Sequence, residues 1–132
     1  MELEITTAQR EQFVDITTEV AKAVSATGIA DGVAVVFCRH TTAAITINEN
    51  ADPDVVGDLL TGLERLAPLC AGWRHVEGNS DAHLKASLVG SSVAVPVERG
   101  RLRLGTWQGI YFAEFDGPRR RSAVVCVIPG VA

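Results

Sequence analysis

SVAVPVERGRLRLGTWQGIYFAEFDGPRRRSAVVCVI, residues 92–128, carries the clearest structural pattern in the chain. The run is rich in valine, isoleucine and aromatic residues, and turn-forming residues interrupt it at 98–100 and at 116–118. Short runs of this composition joined by tight turns are typical of neighbouring antiparallel strands. We therefore predict an antiparallel set of strands at residues 92–97, 102–104, 110–115 and 121–128.

Upstream of this run, helices alternate with further strands. Residues 33–38 are continuously apolar, which is expected of a strand covered on both faces. Asp52 as a cap, Pro53 at the first helical position and an apolar stripe ending before Pro68 predict a helix over 53–66. Weaker patterns predict strands at 3–6, 12–18 and 44–48, and helices at 19–26 and 81–89.

This order of elements predicts an α+β fold, with antiparallel β-sheets packed as a sandwich and a few inserted helices. A chain of 132 residues is of the usual size for one domain, so we predict a single domain over residues 1–132. No predicted strand leads through a GxGxxG turn into a helix, and the P-loop pattern is absent. These absences disfavour the corresponding dinucleotide- and nucleotide-binding folds.

Charge and composition exclude several classes of partner. The formal net charge is −4, so the chain lacks the positive excess of proteins that bind nucleic acid. No apolar run approaches the ~20 residues that span a bilayer, and the acidic N-terminal segment is unlike a secretory signal. The lack of such a run predicts no membrane partner. Because Cys38, Cys70 and Cys126 are widely spaced and form no CxxC pair, we expect a cytoplasmic protein.

The three histidines are the first candidates for chemistry. His40, His75 and His83 lie in turn-rich segments or at element ends, where side chains stay within reach of a ligand. Three neutral imidazoles with an open fourth position form a catalytic-type zinc site, and Glu49 or Asp81 would orient a ring or act as a base. The spacing matches no local zinc motif, so ordinary hydrogen-bonding histidines explain the pattern as well.

Asn79 stands directly before the predicted short helix. Free backbone N–H groups at a helix N-terminus bind anions, so a phosphate would fit there beside His83. Helix capping explains Asn79 equally well. Arginines near predicted turns, at 99–103 and 119–121, offer local positive charge, and Arg119 is the candidate ligand for an anionic substrate.

Trp107 and Gln108 lie between Gly105 and Gly109. The indole of a tryptophan beside a glutamine amide, in a loop flanked by glycines, is suited to bind a planar ring of a substrate. The same combination suits a subunit interface. Cys38 ends an apolar run, so we expect it to be a buried hydrophobic residue and not a nucleophile.

Three stretches carry a resemblance to a known family: CRHTTAAITINENAD (38–52), WRHVEGNSDAHLKASLVGSSVAVPV (73–97) and GRLRLGTWQGIYFAEFDGPRRR (100–121). In order and spacing they resemble the YjbQ family, often labelled the secondary thiamine-phosphate synthase family. The match covers most of the chain from Val33 onward, and LGTWQGIYFAEFDGPR is its most specific motif.

The resemblance implies sandwiched β-sheets in an α+β domain that assembles as a homotrimer, with a small polar pocket near the histidines. The first motif of the family places His40 and Glu49 at this pocket. The second motif places four more residues there: His75, Asn79, Asp81 and His83. The resemblance further implies that the pocket holds a metal ion or an anion.

The family label implies an activity that couples a hydroxymethylpyrimidine diphosphate to a thiazole phosphate and releases pyrophosphate. Such a reaction needs a neutralised diphosphate, usually through Mg²⁺ on carboxylates or through Arg and Lys. The candidate residues are rich in imidazole, which favours a zinc-like metal over Mg²⁺. We therefore expect thiamine-phosphate synthesis to be a weak activity and the main substrate to be another phosphorylated small molecule.

Three hypotheses follow for the function. The first is an enzyme with a metal on the three histidines. The second is a non-catalytic trimer whose pocket binds an anion or a metabolite. The third gives the histidines and the Trp107 loop only a packing role between subunits.

Overall fold

A computed structural model describes residues 1–130, so the predicted domain 1–132 ends in two residues outside the described part. Within residues 1–130 there are eight strands and three helices, which confirms the α+β prediction. In chain order they are β1 (Glu2–Thr6), β2 (Gln12–Asp15), α1 (Thr17–Ala26), β3 (Gly32–Cys38), β4 (Ala43–Glu49), α2 (Pro53–Leu66), α3 (Ser80–Val89), β5 (Ser92–Glu98), β6 (Arg101–Leu102), β7 (Gln108–Glu114) and β8 (Arg120–Pro129).

The strands form two antiparallel sheets that share one core, as the sandwich prediction requires. The larger sheet has the order β1-β8-β3-β5-β6, and the smaller sheet has the order β2-β7-β4. Val36 of the larger sheet and Ile45 and Phe112 of the smaller sheet are buried in the same cluster. Val20 and Val24 place α1 in this cluster as well. Alternation along each strand therefore directs one face of each sheet into the shared core.

Helices α2 and α3 cover the other face of the smaller sheet. Ala82 of α3 is buried there with Ala113 and Phe115, and Leu60 and Leu63 of α2 pack against them. The Asp52 carboxylate accepts a hydrogen bond of 2.9 Å from the N–H of Asp54, so the predicted cap of α2 is present. Neither these helices nor α1 has the length and apolar character of a membrane-spanning helix, within the described residues.

The outer face of the larger sheet has no covering layer among residues 1–130. Val33, Phe37 and Ile128 on this face are 39%, 42% and 57% exposed. The strand prediction for residues 33–38 is confirmed, but the expectation that both its faces are covered is wrong for the chain alone. Antiparallel sheets usually carry polar residues on the face that meets water. The outer face of the larger sheet carries these apolar residues instead.

Element boundaries differ from the predictions mainly at residues 12–18. The predicted strand ends at Asp15, because the Asp15 carboxylate accepts hydrogen bonds from the N–H and the hydroxyl of Thr17 at 2.9 and 2.5 Å. These bonds turn the chain into α1, which begins at Thr17 instead of Glu19.

Candidate functional site

One end of the sandwich carries a surface depression of about 400 Å³, which we call the histidine pocket. Six of its lining residues are three histidines and three arginines: His40, His75, His83, Arg39, Arg119 and Arg121. Asn79, predicted before the helix, lines it too. The pocket brings together side chains that are as far apart in sequence as residues 39 and 121.

The topology explains why these residues meet. β3 ends at Cys38 and β4 begins at Ala43, so His40 lies in the connection between the two sheets. β7 ends at Glu114 and β8 begins at Arg120, so the turn that carries Arg119 lies at the same end. The first turn of α3, which packs on β4, adds Asn79 and His83.

His75 and His83 lie side by side in the histidine pocket, and His75 is exposed whereas His83 is half-buried. Their rings meet edge to face, with 5.4 Å between the ring centroids. Nε2 of His75 lies 3.9 Å from a carboxylate oxygen of Glu77, and both side chains are exposed. The His75 imidazole is therefore free to contact a ligand.

His40 is held more tightly than the other two histidines. Its Nε2 accepts a hydrogen bond of 3.1 Å from the backbone N–H of Ser122, and its ring stands edge to face against Phe112. Burial and the positive charge of Arg121 together lower the pKa of His40 below its usual value. The ring is therefore neutral at pH 7.

Arg121 lies at the base of the histidine pocket in a buried ion pair. Its Nε donates to Glu114 at 2.8 Å, and its Nη2 donates to the second oxygen of Glu114 and to the hydroxyl of Thr42. The Thr7 hydroxyl also donates to Glu114, at 2.7 Å. Burial alone would raise the pKa of Glu114, but the bonds from Arg121 and Thr7 outweigh it, so the net pKa is lowered.

The turn after β7 holds a second group of polar contacts. Asn79 Nδ2 and Arg119 Nη2 both donate to the same oxygen of Asp116, at 2.8 and 2.9 Å. Asn79 Oδ1 is buried and has no hydrogen-bond partner within the described part of the chain. An unpaired buried acceptor is costly, so a donor from a ligand or from an ordered water would stabilise this oxygen.

Comparison with known proteins identifies the family. The family model described as UPF0047 protein YjbQ-like matches residues 1–130. The chain belongs to the YjbQ family. A UPF0047 protein of Methanocaldococcus jannaschii is 53% identical over 125 residues, which cover 95% of this chain and 91% of the relative.

Solved structures of the YjbQ family have the same fold. A member from Clostridium acetobutylicum is 58% identical, with a TM-score of 0.95 over 97% of this chain and 99% of the other. One from Sulfolobus solfataricus is 34% identical, with the same TM-score over 98% and 96% of the two chains. The sandwich with its added helices is therefore the architecture of the family.

Asp81, which the YjbQ resemblance placed at the pocket, points elsewhere. Its carboxylate is fully buried, accepts two hydrogen bonds from Arg10 at 3.1 and 3.0 Å, and pairs with Lys85 at 3.2 Å. Lys85 is also bound by Glu11 and Glu64. Burial opposes ionisation, but the bonds from Arg10 and Lys85 prevail and the pKa of Asp81 is lowered. Asp81 is therefore a buried carboxylate of α3 with a structural role. The expectation that it acts as a base is not supported.

Glu49, Trp107 and Gln108 lie at the opposite end of the sandwich from the histidines. Glu49 is the last residue of β4 and pairs with Gln108, the first residue of β7. At ~3.3 Å per residue, the seven-residue strand puts Glu49 about 20 Å from Ala43. Their predicted roles at the histidine pocket are therefore not supported within one chain.

No three side chains of His, Cys, Asp or Glu within residues 1–130 are arranged to hold a metal ion. Of the three histidines, His40 has its Nε2 engaged by the backbone N–H of Ser122. The metal site on His40, His75 and His83 stays a prediction.

The sequence analysis did not identify Arg39 and Glu114 as site residues, and it included Arg121 only in the arginine group 119–121. Two of them carried a usable signal, because Glu114 lies in the apolar run IYFAEF and Arg121 opens the apolar run of β8. A charged residue in a buried strand needs a partner of opposite charge. Arg39 carried no such signal.

Proposed function

We propose that the protein is an enzyme that acts on a phosphorylated small molecule bound in the histidine pocket. The observation that carries this proposal is the presence of three arginines, three histidines and the start of α3 around one depression. Guanidinium groups and the first N–H groups of a helix are the usual protein ligands of phosphate.

Arg39 and Arg119 are the arginines that remain available to a ligand. Arg39 is exposed and makes no salt bridge with any residue of the described chain. Arg119 is half exposed, and its pairing with Asp116 leaves part of its guanidinium free. Arg121 adds charge from below, although Glu114 compensates it. Phosphate would bind between the two exposed arginines and α3.

The neighbouring depression is a poorer candidate for an anion. It has about 500 Å³ and lies on the other side of His40, where Glu2 and Glu4 contribute to its lining. Its two arginines are balanced by these two carboxylates, whereas the histidine pocket has three arginines and two carboxylates, so the larger volume does not outweigh the charge. We therefore assign the phosphorylated substrate to the histidine pocket.

Thiamine-phosphate synthase activity is part of this proposal as a weak activity. The arginines would neutralise the pyrophosphate that leaves, and His75 and His83 would move protons at the exposed side of the pocket. Mg²⁺ prefers carboxylate oxygen, and the lining carboxylates are Glu77 and Asp116, of which Asp116 is engaged by Asn79 and Arg119. Poor support for Mg²⁺ is the reason to expect slow turnover.

Calorimetric titration with inorganic phosphate and with pyrophosphate tests the proposal. We expect both to bind, and Arg39→Ala to weaken binding about tenfold through loss of a charged contact. Arg101→Ala is the matched control, because Arg101 is an exposed arginine without a salt bridge in the described chain and lies in β6. Absence of binding by the wild-type protein would refute the proposal.

Turnover separates the enzyme from the second candidate, a non-catalytic trimer that binds an anion or a metabolite. The observation that favours this second candidate is that Asp81 and Glu49, the predicted bases, are absent from the lining of the pocket. Incubation with hydroxymethylpyrimidine diphosphate and thiazole phosphate should yield thiamine phosphate in wild-type protein and none in His83→Ala. Phosphate binding without product from this or other phosphorylated substrates would favour the binding protein.

A divalent, zinc-like metal belongs to the proposal as a separate element. The edge-to-face pair of His75 and His83 supports it, since imidazole is a common zinc ligand. Metal content measured by mass spectrometry, for wild-type protein and His83→Ala purified without chelator, tests it. We expect about one ion per chain in the wild type and loss of that ion in the variant.

We propose that the protein assembles as a homotrimer through the exposed outer face of the larger sheet. Val33, Phe37 and Ile128 on that face support a covering by neighbouring copies, because large exposed apolar patches mark interaction sites. Light scattering should show a trimer for the wild-type protein and smaller species for Phe37→Lys. Trp107→Ala tests the competing idea that the Trp107 loop holds the subunits together.

We also propose a cytoplasmic location. The cysteines Cys38, Cys70 and Cys126 are all free thiols, which suits a reducing compartment. Fractionation of cells that express the full chain, followed by immunoblotting, should recover it with cytoplasmic markers. Recovery with membranes or in the culture medium would contradict this location.

A further inference from the structure

His40 differs from the other two histidines because one of its ring nitrogens is already engaged. Nε2 lies 3.1 Å from the backbone nitrogen of Ser122, which carries a hydrogen and can only donate. Nε2 therefore accepts and carries no proton. A neutral imidazole has one N–H, so the proton of His40 is on Nδ1.

The surroundings keep the ring in this state. A proton on Nε2 would point at the N–H of Ser122, and the Arg121 guanidinium adds positive charge close by. The negative charge of Glu114 is engaged by Arg121 itself. His40 is consequently a ring with one tautomer and not a ring that exchanges its proton between two sites.

Nδ1 remains open to a ligand. It has no hydrogen-bond partner among residues 1–130, and it is not one of the buried atoms left unpaired. The two nitrogens of an imidazole direct their bonds to different sides of the ring, so Nδ1–H points away from Ser122 and β8. On the remaining sides His40 shares its depressions with Thr41 and His83.

We propose that His40 is a fixed hydrogen-bond donor that gives its Nδ1–H to an oxygen of the phosphorylated ligand. This inference rests on the proposed function and specifies it further, because it assigns His40 to recognition of an anionic oxygen. It also removes two roles. A nitrogen that carries a proton cannot bind a metal, and a ring whose only lone pair is engaged by Ser122 cannot act as a base.

The tautomer is tested first, in the free protein. Nitrogen-15 spectra of imidazole-labelled protein report which nitrogen carries the proton, and the His40 signals are assigned by comparison with His40→Asn. We expect the Nδ1–H form at pH 7. An Nε2–H form, or a mixture of both forms, overturns the inference whether or not phosphate binds.

A matched pair of variants tests the role of the donor. In His40→Asn the side-chain amide N–H stands near the position of Nδ1. In His40→Gln the amide oxygen reaches the position of Nε2, and no donor stands at the position of Nδ1. In calorimetric titrations with inorganic phosphate, we expect His40→Asn to bind within about threefold of wild type and His40→Gln to bind about tenfold more weakly or worse.

The outcomes separate this inference from the proposed function. If wild-type protein binds no phosphate, the proposed function fails, and the spectra still decide the tautomer. If it binds phosphate and His40→Gln binds equally well, only the role of His40 fails. Thermal unfolding of both variants shows whether a loss of binding reflects a loss of folding.

Discussion

Two groups of charged side chains lie around α3, and they are built for different tasks. The first is buried: Asp81 and Lys85 are completely inaccessible, as is Glu114, and Arg121 is nearly so. The second lines the rim of the histidine pocket, where His75 and Arg119 are 41% and 52% exposed. The buried group determines where α3 and the strand ends lie, and the rim group is left free to meet a ligand.

Helix geometry keeps the two groups apart on α3. Asn79 and His83 are four residues apart and share one side, and Asp81 and Lys85 are four residues apart and share another. Two positions along a helix correspond to about 200° around its axis. The first side faces the histidine pocket, and the second is bound by Arg10 and by acids from other segments.

The largest effect is expected from removal of the central cation of the buried group. Lys85→Met leaves Asp81 buried with only Arg10 as its partner, which should cost about 3–5 kcal/mol of unfolding free energy. Lys22→Met makes the same chemical change at an exposed position of α1. Urea denaturation should show a large loss for Lys85→Met and almost none for the control. A loss below about 1 kcal/mol would show that the cluster is not a structural anchor.

A smaller loss, with a distinct dependence on pH, is expected for Glu114→Gln. The variant keeps the shape of the side chain but leaves the Arg121 charge uncompensated, at a cost of about 2–3 kcal/mol. Because the pKa of Glu114 is lowered in the folded protein, its contribution is complete above the unfolded pKa of about 4.3. This contribution is lost as the pH falls through the lower folded pKa.

Denaturation of both proteins at a series of pH values checks this expectation. The unfolding free energies of wild type and Glu114→Gln should differ most above about pH 5 and converge in more acidic solution. A difference that does not change with pH would mean that Glu114 contributes by shape alone.

The sequence predicted the rim of the histidine pocket better than its buried support. Histidines in loops and an asparagine before a helix stand out without knowledge of the fold, and the structure places them at one pocket. Asp81 was included in the candidate site because it lies between Asn79 and His83 in the sequence, although helical spacing places it on another side of α3 from both. The pairing of Asp81 with Arg10 joins distant segments, and no local pattern predicts it.

The strands show the same limit of prediction. The cap at Asp52 and the apolar run of β3 are local signals, and both elements were found where the sequence placed them. Glu49 was assigned to the pocket because its motif also contains His40, yet the length of β4 carries it to the far end of the sheet. Only the pairing of β4 with β7 shows that Glu49 and Gln108 are neighbours there.

The rim should respond in the opposite way from the buried group. Arg119→Ala removes an exposed ion pair with Asp116, so the unfolding free energy should change by less than about 1 kcal/mol. Phosphate binding, measured by calorimetry, should weaken about tenfold. Arg103→Ala, which breaks a similar exposed pair with Glu98, should change neither quantity strongly. Equal effects of the two substitutions on binding would place phosphate outside the histidine pocket.

His40 lines the histidine pocket but is half-buried, so it is intermediate between the rim group and the buried group. The smallest effect on the unfolding free energy is expected from its ionisation. Its pKa is lowered in the folded protein by burial and by Arg121, so between that value and the unfolded pKa of about 6.5 the unfolded chain binds more protons. The stability that His40 contributes is therefore complete above about pH 6.5 and declines as the solution becomes more acidic. The decline should be the smallest of the effects described here, because the ring is only half buried. Unfolding free energies of wild type and His40→Asn, measured from pH 7 to pH 5, isolate this contribution because the other titrating groups are common to both proteins. If the unfolding free energy depends more steeply on pH in the wild type than in His40→Asn, the His40 ring contributes to stability through its charge state, as the buried group does. If the two pH dependences are parallel, the ionisation of His40 contributes nothing to stability, as expected for a residue of the exposed rim.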